Sequence, residues 1–145
     1  MSYQILMVDD KLDNLTTTRT YLELNNFFVE TADSTKMALD LLSKTEYALI
    51  LLDYEMPDMM GDTFMSLLRE RYPQQQVAMF SCDLSRDAIK QSYRAGALDF
   101  IEKTDTPKEV LSRVMQLCSR YDFLIKTIRP NTQKNELRQL IASVG

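Results

Sequence analysis

Asp9-Asp10, Asp53, Ser81 and Lys103 each follow a short, largely apolar run: ILMV, ALILL, QVAMF and LDFIE. Side chains at the ends of such runs stand where buried strands reach solvent. If the runs lie side by side, three carboxylates meet, repelling one another by roughly 1–4 kcal/mol per pair at surface-like dielectric. Such a cluster needs a cation or a shared proton. All-oxygen ligation by few protein groups suits Mg²⁺, with water and phosphate completing an octahedron. Ser81 and Lys103 add a hydroxyl donor and a compact ammonium, which is what holding a phosphoryl group requires. Taken singly, Asp53 is a turn or capping residue as readily as a working group, and Ser81 and Lys103 are as readily a cap and a solvated charge.

Composition removes most other chemistry. The chain has 145 residues and no histidine, which excludes Ser-His-Asp and Cys-His catalysis, His-containing metal sites and a role as phosphohistidine donor. Net charge is −4, from 21 acidic and 17 basic residues, so direct nucleic-acid binding is not expected. No stretch approaches the roughly 18 apolar residues of a membrane span. The start, MSYQILMVDD, has no basic n-region or long apolar h-region. Cys82 and Cys118 do not make a disulfide framework. These features together lead us to expect a cytoplasmic protein with no membrane association.

The elements that must position these groups alternate. Residues 3–9, 27–32, 48–52, 76–81 and 98–103 read as strands. The run Ala48-Leu49-Ile50-Leu51-Leu52 lacks polar alternation, as expected of a strand covered on both faces. Helices are expected over Asp13–Asn26, after the Ser34 cap with Met37, Ala38, Leu41 and Leu42, over Thr63–Tyr72, and over Ser85–Ala95 with Gly96 at its end. Thr106-Pro107-Lys108-Glu109 has the form of a capping box with proline at N1, opening a fifth helix. Five β-α units predict an α/β fold: a five-stranded parallel sheet, doubly wound and flavodoxin-like, in order 2-1-3-4-5. The switch point then lies between strands 1 and 3, where Asp9, Asp10 and Asp53 end.

The set Asp9-Asp10, Asp53-x-x-Met56-Pro57-x-x-x-Gly61, Ser81 and Lys103 resembles the receiver domain of two-component response regulators, over about residues 3–125. The resemblance implies that Asp53 is the phosphoacceptor and that Asp9, Asp10, Asp53 and the backbone carbonyl of Glu55 hold Mg²⁺. Ser81 would bind a phosphoryl oxygen and move with it, Lys103 would pair with the phosphoryl charge, and Phe100 would be the switch aromatic. It implies a phosphorylation-activated signalling switch rather than an enzyme proper. The partners implied are a sensor histidine kinase or phosphotransfer protein and a downstream output domain or protein. The surface that changes is formed by the fourth helix, fifth strand and fifth helix. Glu55 and Asp83 flank the site at positions that tune dephosphorylation in this family.

Three features depart from the family pattern. Lys103 is followed by Thr104 rather than the usual proline in a cis peptide; a cis bond before a non-proline residue costs about 2.5–4 kcal/mol, so a different loop path is expected. Cys82 replaces a usual alanine and is read as a small buried filler in preference to a redox thiol. Val110, Val114, Leu117, Tyr121, Leu124 and Ile128 form a seam at heptad spacing that runs beyond the expected end of the fifth helix, to Arg129-Pro130. Leu137, Leu140, Ile141 and Val144 form a second stripe. This divides the chain into a receiver domain, 1–126, and a C-terminal helical extension or linker, 127–145. The extension folds back on the domain, pairs in a homodimer, or leads into an output domain.

Rival readings fare less well. A haloacid-dehalogenase-type phosphatase needs Asp-x-Asp-x-Thr, and the run here is Asp53-Tyr54-Glu55-Met56-Pro57. A flavin or nucleotide binder of similar topology needs a glycine-rich loop after strand 1, where VDDKLDN places acids. The alternative that stays open is a receiver-like domain acting as a phosphorylation-independent interaction module.

Overall fold

The computed structural model describes residues 2–82 and 85–144, with the side chains of Asn14 and 128–144 outside the description. Strands β1 (Gln4–Val8), β2 (Phe28–Ala32), β3 (Leu49–Leu52), β4 (Val77–Ser81) and β5 (Asp99–Glu102) alternate with helices. The helices are α1 (Thr16–Leu24), α2 (Thr35–Lys44), α3 (Gly61–Arg71), α4 (Arg86–Ala95) and α5 (Pro107–Val144). All neighbouring strands are parallel, in the expected order β2-β1-β3-β4-β5.

The apolar runs are continuous because each strand feeds two cores, one on each face of the sheet. Ile5, Met7, Leu49, Leu51, Ala78 and Phe80 pack with Leu22 of α1 and Val110, Val114 and Cys118 of α5. Leu6, Val8, Ile50, Leu52, Val77 and Met79 pack on the other face with Ala38, Phe64 and Leu68. With a side-chain period of two, a one-residue slip would exchange the two sets, so register is strongly specified. The pairings Val8↔Leu52 and Leu52↔Met79 therefore fix where β1, β3 and β4 end relative to one another.

Local signals hold the helices in place. Ser34 and Ser85 accept from the N–H groups of Met37 and Ala88, each at 3.1 Å. Thr106 and Glu109 exchange reciprocal bonds of 3.2 and 3.3 Å, forming the expected capping box. Gly96 ends α4 at φ 110°, a conformation glycine adopts without a Cβ penalty.

Three element boundaries differ from expectation. A 3-10 turn, Leu12–Leu15, precedes α1, which starts at Thr16 rather than near Asp13. Helix α3 starts at Gly61 rather than near Thr63. Helix α5 passes through Pro130 without ending, its backbone helical to Val144. Met37, expected on an apolar face, is 42% exposed. In the C-terminal seam Val110, Val114 and Leu117 are buried, while Tyr121 and Leu124 are half-buried. Ile128, Leu137, Leu140, Ile141 and Val144 lie outside the described side chains.

Candidate functional site

The register just described brings the ends of β1 and β3 together. Asp9 and Asp53 follow paired residues Val8 and Leu52, and the N–H of Asp53 donates to the carbonyl of Val8 at 2.9 Å. Ligand oxygens of Asp9, Asp10 and Asp53 all lie within 4.8 Å of one another. Asp9 and Asp53 are buried and Asp10 is exposed, so the cluster has one open side. Hard carboxylate oxygens converging around one point fit a Mg²⁺-sized cation that keeps several waters.

Lys103, at the end of β5, supplies the counter-charge. Its Nζ hydrogen-bonds Asp9 Oδ2 and lies 3.5 Å from Asp53 Oδ2, with the side chain 12% exposed. Burial works against the Lys103 charge, but its hydrogen bond to Asp9 and the charges of Asp53 and Asp9 outweigh this and raise its pKa. The Asp53 carboxyl is also raised. Burial is the main cause, Asp9 adds to it, and Lys103, the Ser81 hydroxyl and the Glu55 N–H only partly offset it. Asp53 is thus a carboxylate with too little solvation for its charge, held in a pocket open to a cation.

The loop after Asp53 is shaped by Gly61. A Cβ there would meet Tyr54 Cα at 2.8 Å and the Asp53 carbonyl oxygen at 3.0 Å, while the Gly61 N–H donates to Tyr54 O at 2.7 Å. The glycine lets the start of α3 close against the backbone that carries Asp53. Met56 is buried and anchors the intervening turn. The other side of this loop is tied by a residue that the motif did not single out. Asp58 accepts from both the N–H and the hydroxyl of Thr35, which holds its carboxyl below the usual range. The loop is thereby pinned to the first turn of α2. An aspartate in a turn carries no sequence signal for a partner 23 residues away.

Comparison with known proteins agrees with this geometry. The family model described as response regulator receiver domain matches residues 5–115. The chain belongs to that family. The transcriptional regulatory protein SrrA of Staphylococcus aureus is 33% identical over 120 residues, which is 83% of this chain and 49% of that protein. The chain thus spans about half the length of the curated relatives it matches. A CheY-like receiver domain protein from Methanospirillum hungatei JF-1 superposes with TM-score 0.78 at 25% identity, covering 84% of this chain and 98% of that one. The signal receiver domain of a putative Luxo repressor protein from Vibrio parahaemolyticus shares the fold, with TM-score 0.81 at 19% identity over 88% of this chain and 98% of its own. The protein is therefore a receiver domain of the two-component response regulator type, a class of signalling switches rather than enzymes.

Within this receiver domain, Ser81 is 1% and Phe100 8% exposed. Ser81 ends β4 beside Asp53, and Phe100 packs into the core on the α2–α4 side of the sheet. Glu55 is exposed, and Asp83 lies outside the described residues. Cys82 corrects an expectation: it is exposed, not a buried filler. It follows the inward-facing Ser81, and strand alternation turns it away from the core. The peptide joining Lys103 to Thr104 is trans, and the turn closes through the Asp105 N–H on the Glu102 carbonyl at 3.0 Å. Among the described residues no helix is long and apolar enough to cross a membrane.

Proposed function

We propose that Asp53 accepts a phosphoryl group from the phosphohistidine of a partner kinase or phosphotransfer protein. The observation that carries this reading is the Asp53 carboxylate, buried 3.5 Å from Lys103 Nζ, with Asp9 and Asp10 oxygens within 4.8 Å. Asp9, Asp10, Asp53 and the carbonyl of Glu55 are the groups that would hold Mg²⁺, which when bound neutralises charge on the transferring phosphoryl group. The attack forms an Asp53 Oδ–P bond as the P–N bond to the donor imidazole breaks, and the leaving nitrogen takes up a proton. Burial favours the reaction twice. It leaves Asp53 poorly solvated as a nucleophile, and it strengthens the pairing of Lys103 with the transferred charge.

The buried Ser81 and Phe100 support a switch. Drawing the Ser81 hydroxyl toward a phosphoryl oxygen vacates space next to Phe100, whose inward movement repacks the α4-β5-α5 surface. That surface then controls an output domain or protein. Residues 1–126 form the receiver, and 127–145 continue α5 as a signalling extension or a homodimer contact, a reading supported by the unbroken helix to Val144. The cytoplasm is the compartment that fits this chemistry.

Intact-mass measurement after treatment with acetyl phosphate or phosphoramidate and Mg²⁺ should show one added phosphoryl group, absent in Asp53→Asn. Undiminished labelling of that variant would sink the assignment. Absence of labelling in the unaltered chain would favour a phosphorylation-independent interaction module.

A further inference from the structure

A cavity of about 630 Å³ opens at the opposite end of the sheet from Asp53. Its wall comes from the 46–47 segment, α3 with the following loop, the α4–β5 turn and α5. The volume falls within the range of small-molecule sites, roughly 300–1,000 Å³. Because several segments bound it, the space suits a compact ligand better than an extended peptide.

Its chemistry is unlike the rest of the chain. The protein carries net charge −4, yet Arg69, Arg71 and Arg120 all line this cavity, against Glu46 as the one carboxylate among the described lining residues. Arg69 is tied across the rim, its guanidinium lying against Gly96 and donating to the Ala95 carbonyl at 3.4 Å. Arg71 and Arg120 have no ion-pair partner among the described residues. They come from different elements, α3 and α5, and both line this one cavity. A guanidinium presents paired N–H donors that match phosphate oxygens. Tyr72 and Tyr121 add ring surface to the same wall, and Leu68 and Leu124 add apolar surface.

We propose that this cavity is a second ligand site, taking a small phosphate-bearing molecule with a planar ring, of the mononucleotide class. Phosphate groups lie toward Arg71 and Arg120, and the ring lies against tyrosine and leucine side chains. The site shares α5 and the α4–β5 turn with the surface that borders Lys103.

The test is titration calorimetry on the full 145-residue chain with ATP, ADP and GTP in EDTA, which keeps divalent metal from the Asp53 end. Saturable binding is expected, unchanged in Asp53→Asn and weakened roughly tenfold or more by Arg71→Glu with Arg120→Glu. Normal acetyl-phosphate labelling of that double variant shows that it is folded. Inorganic phosphate should compete only at much higher concentration than the nucleotides. The proposal is overturned if no nucleotide binds at millimolar concentration, or if the charge reversals leave binding intact. It is also overturned if phosphate alone competes as well as ATP, or if an acidic peptide binds in place of nucleotides.

Discussion

At the carboxyl end of the sheet Asp9 and Asp53 are 1% and 7% exposed; at the amino end Gln76 is buried to a similar degree, at 3%. Gln76 is neutral, and its Nε2 donates to the carbonyls of Ala48 at 3.0 Å and Leu117 at 2.7 Å. One amide thus joins the start of β3 to the middle of α5 without burying a charge. Asp53 has no such settlement. It shares a single ammonium with Asp9 and stays underneutralised. The Gln76 amide makes both Nε2 bonds while its buried Oε1 has no partner among the described residues. A neutral oxygen left so costs far less than a buried charge short of partners, which stabilises only when something else arrives. One end of the sheet is structural, and the other is conditional.

The strongest way to break this division is at Gly61, where structure and site coincide. Gly61→Val sets a branched side chain against backbone 2.8 Å away, and should cost about 2–3 kcal/mol in urea unfolding. It should also abolish phosphoryl labelling. Retained labelling with normal stability would mean that the Asp53 loop tolerates displacement.

Gln76→Leu sharpens the comparison from the other end. It removes both Nε2 donations but also the buried Oε1 that has no partner among the described residues, so it should cost about 1–2 kcal/mol of stability and leave labelling of Asp53 unchanged. A parallel fall in labelling under native conditions would show that the two ends are not separable.

Tyr3, also at the amino end, donates to Asp122, and this hydrogen bond is the main reason its phenol is pushed up to about 12. The folded state therefore holds the proton more tightly than the unfolded chain, whose tyrosines titrate near about 10. The stability involved is present below about pH 10 and is lost as pH rises toward about 12. Tyr3→Phe should lower stability by about 1 kcal/mol near neutrality, and the gap to wild type should shrink across that alkaline window. A constant gap would place the effect in packing. Tyr47, raised to about 12 chiefly by burial, titrates in both proteins and cancels in the comparison.

The smallest change at neutral pH is expected where the charge is removed. Without divalent metal, Asp53→Asn should be as stable as wild type or more stable. The sign follows from the raised Asp53 pKa. The wild-type contribution is full below the ordinary carboxylate pKa of about 3.9 and is lost as pH rises through the higher folded value. The advantage of the asparagine variant should therefore grow from acid toward neutral pH. A clear loss of stability in thermal melts would mean that Asp53 is a structural partner of Lys103.

Much of this was legible in the sequence. The five apolar runs, Ser34, Gly96 and the Thr106–Glu109 box specify their elements because such signals act within a few residues, where chain geometry alone sets distances. Strand order followed from the β-α alternation, and with it the meeting of Asp9, Asp10 and Asp53. What required the tertiary structure is every relation that depends on how separate elements are set against one another. Lys103 pairs with Asp9 more closely than with Asp53, and Asp58 reaches back to Thr35. Gln76 bridges β3 and α5, Cys82 faces out, and the arginines of α3 and α5 line one cavity. Helix α5 continues through Pro130, a residue that removes a backbone donor and by itself signals a helix end. Periodicity says which face a residue takes; only the packed elements decide which other side chain is there to meet it.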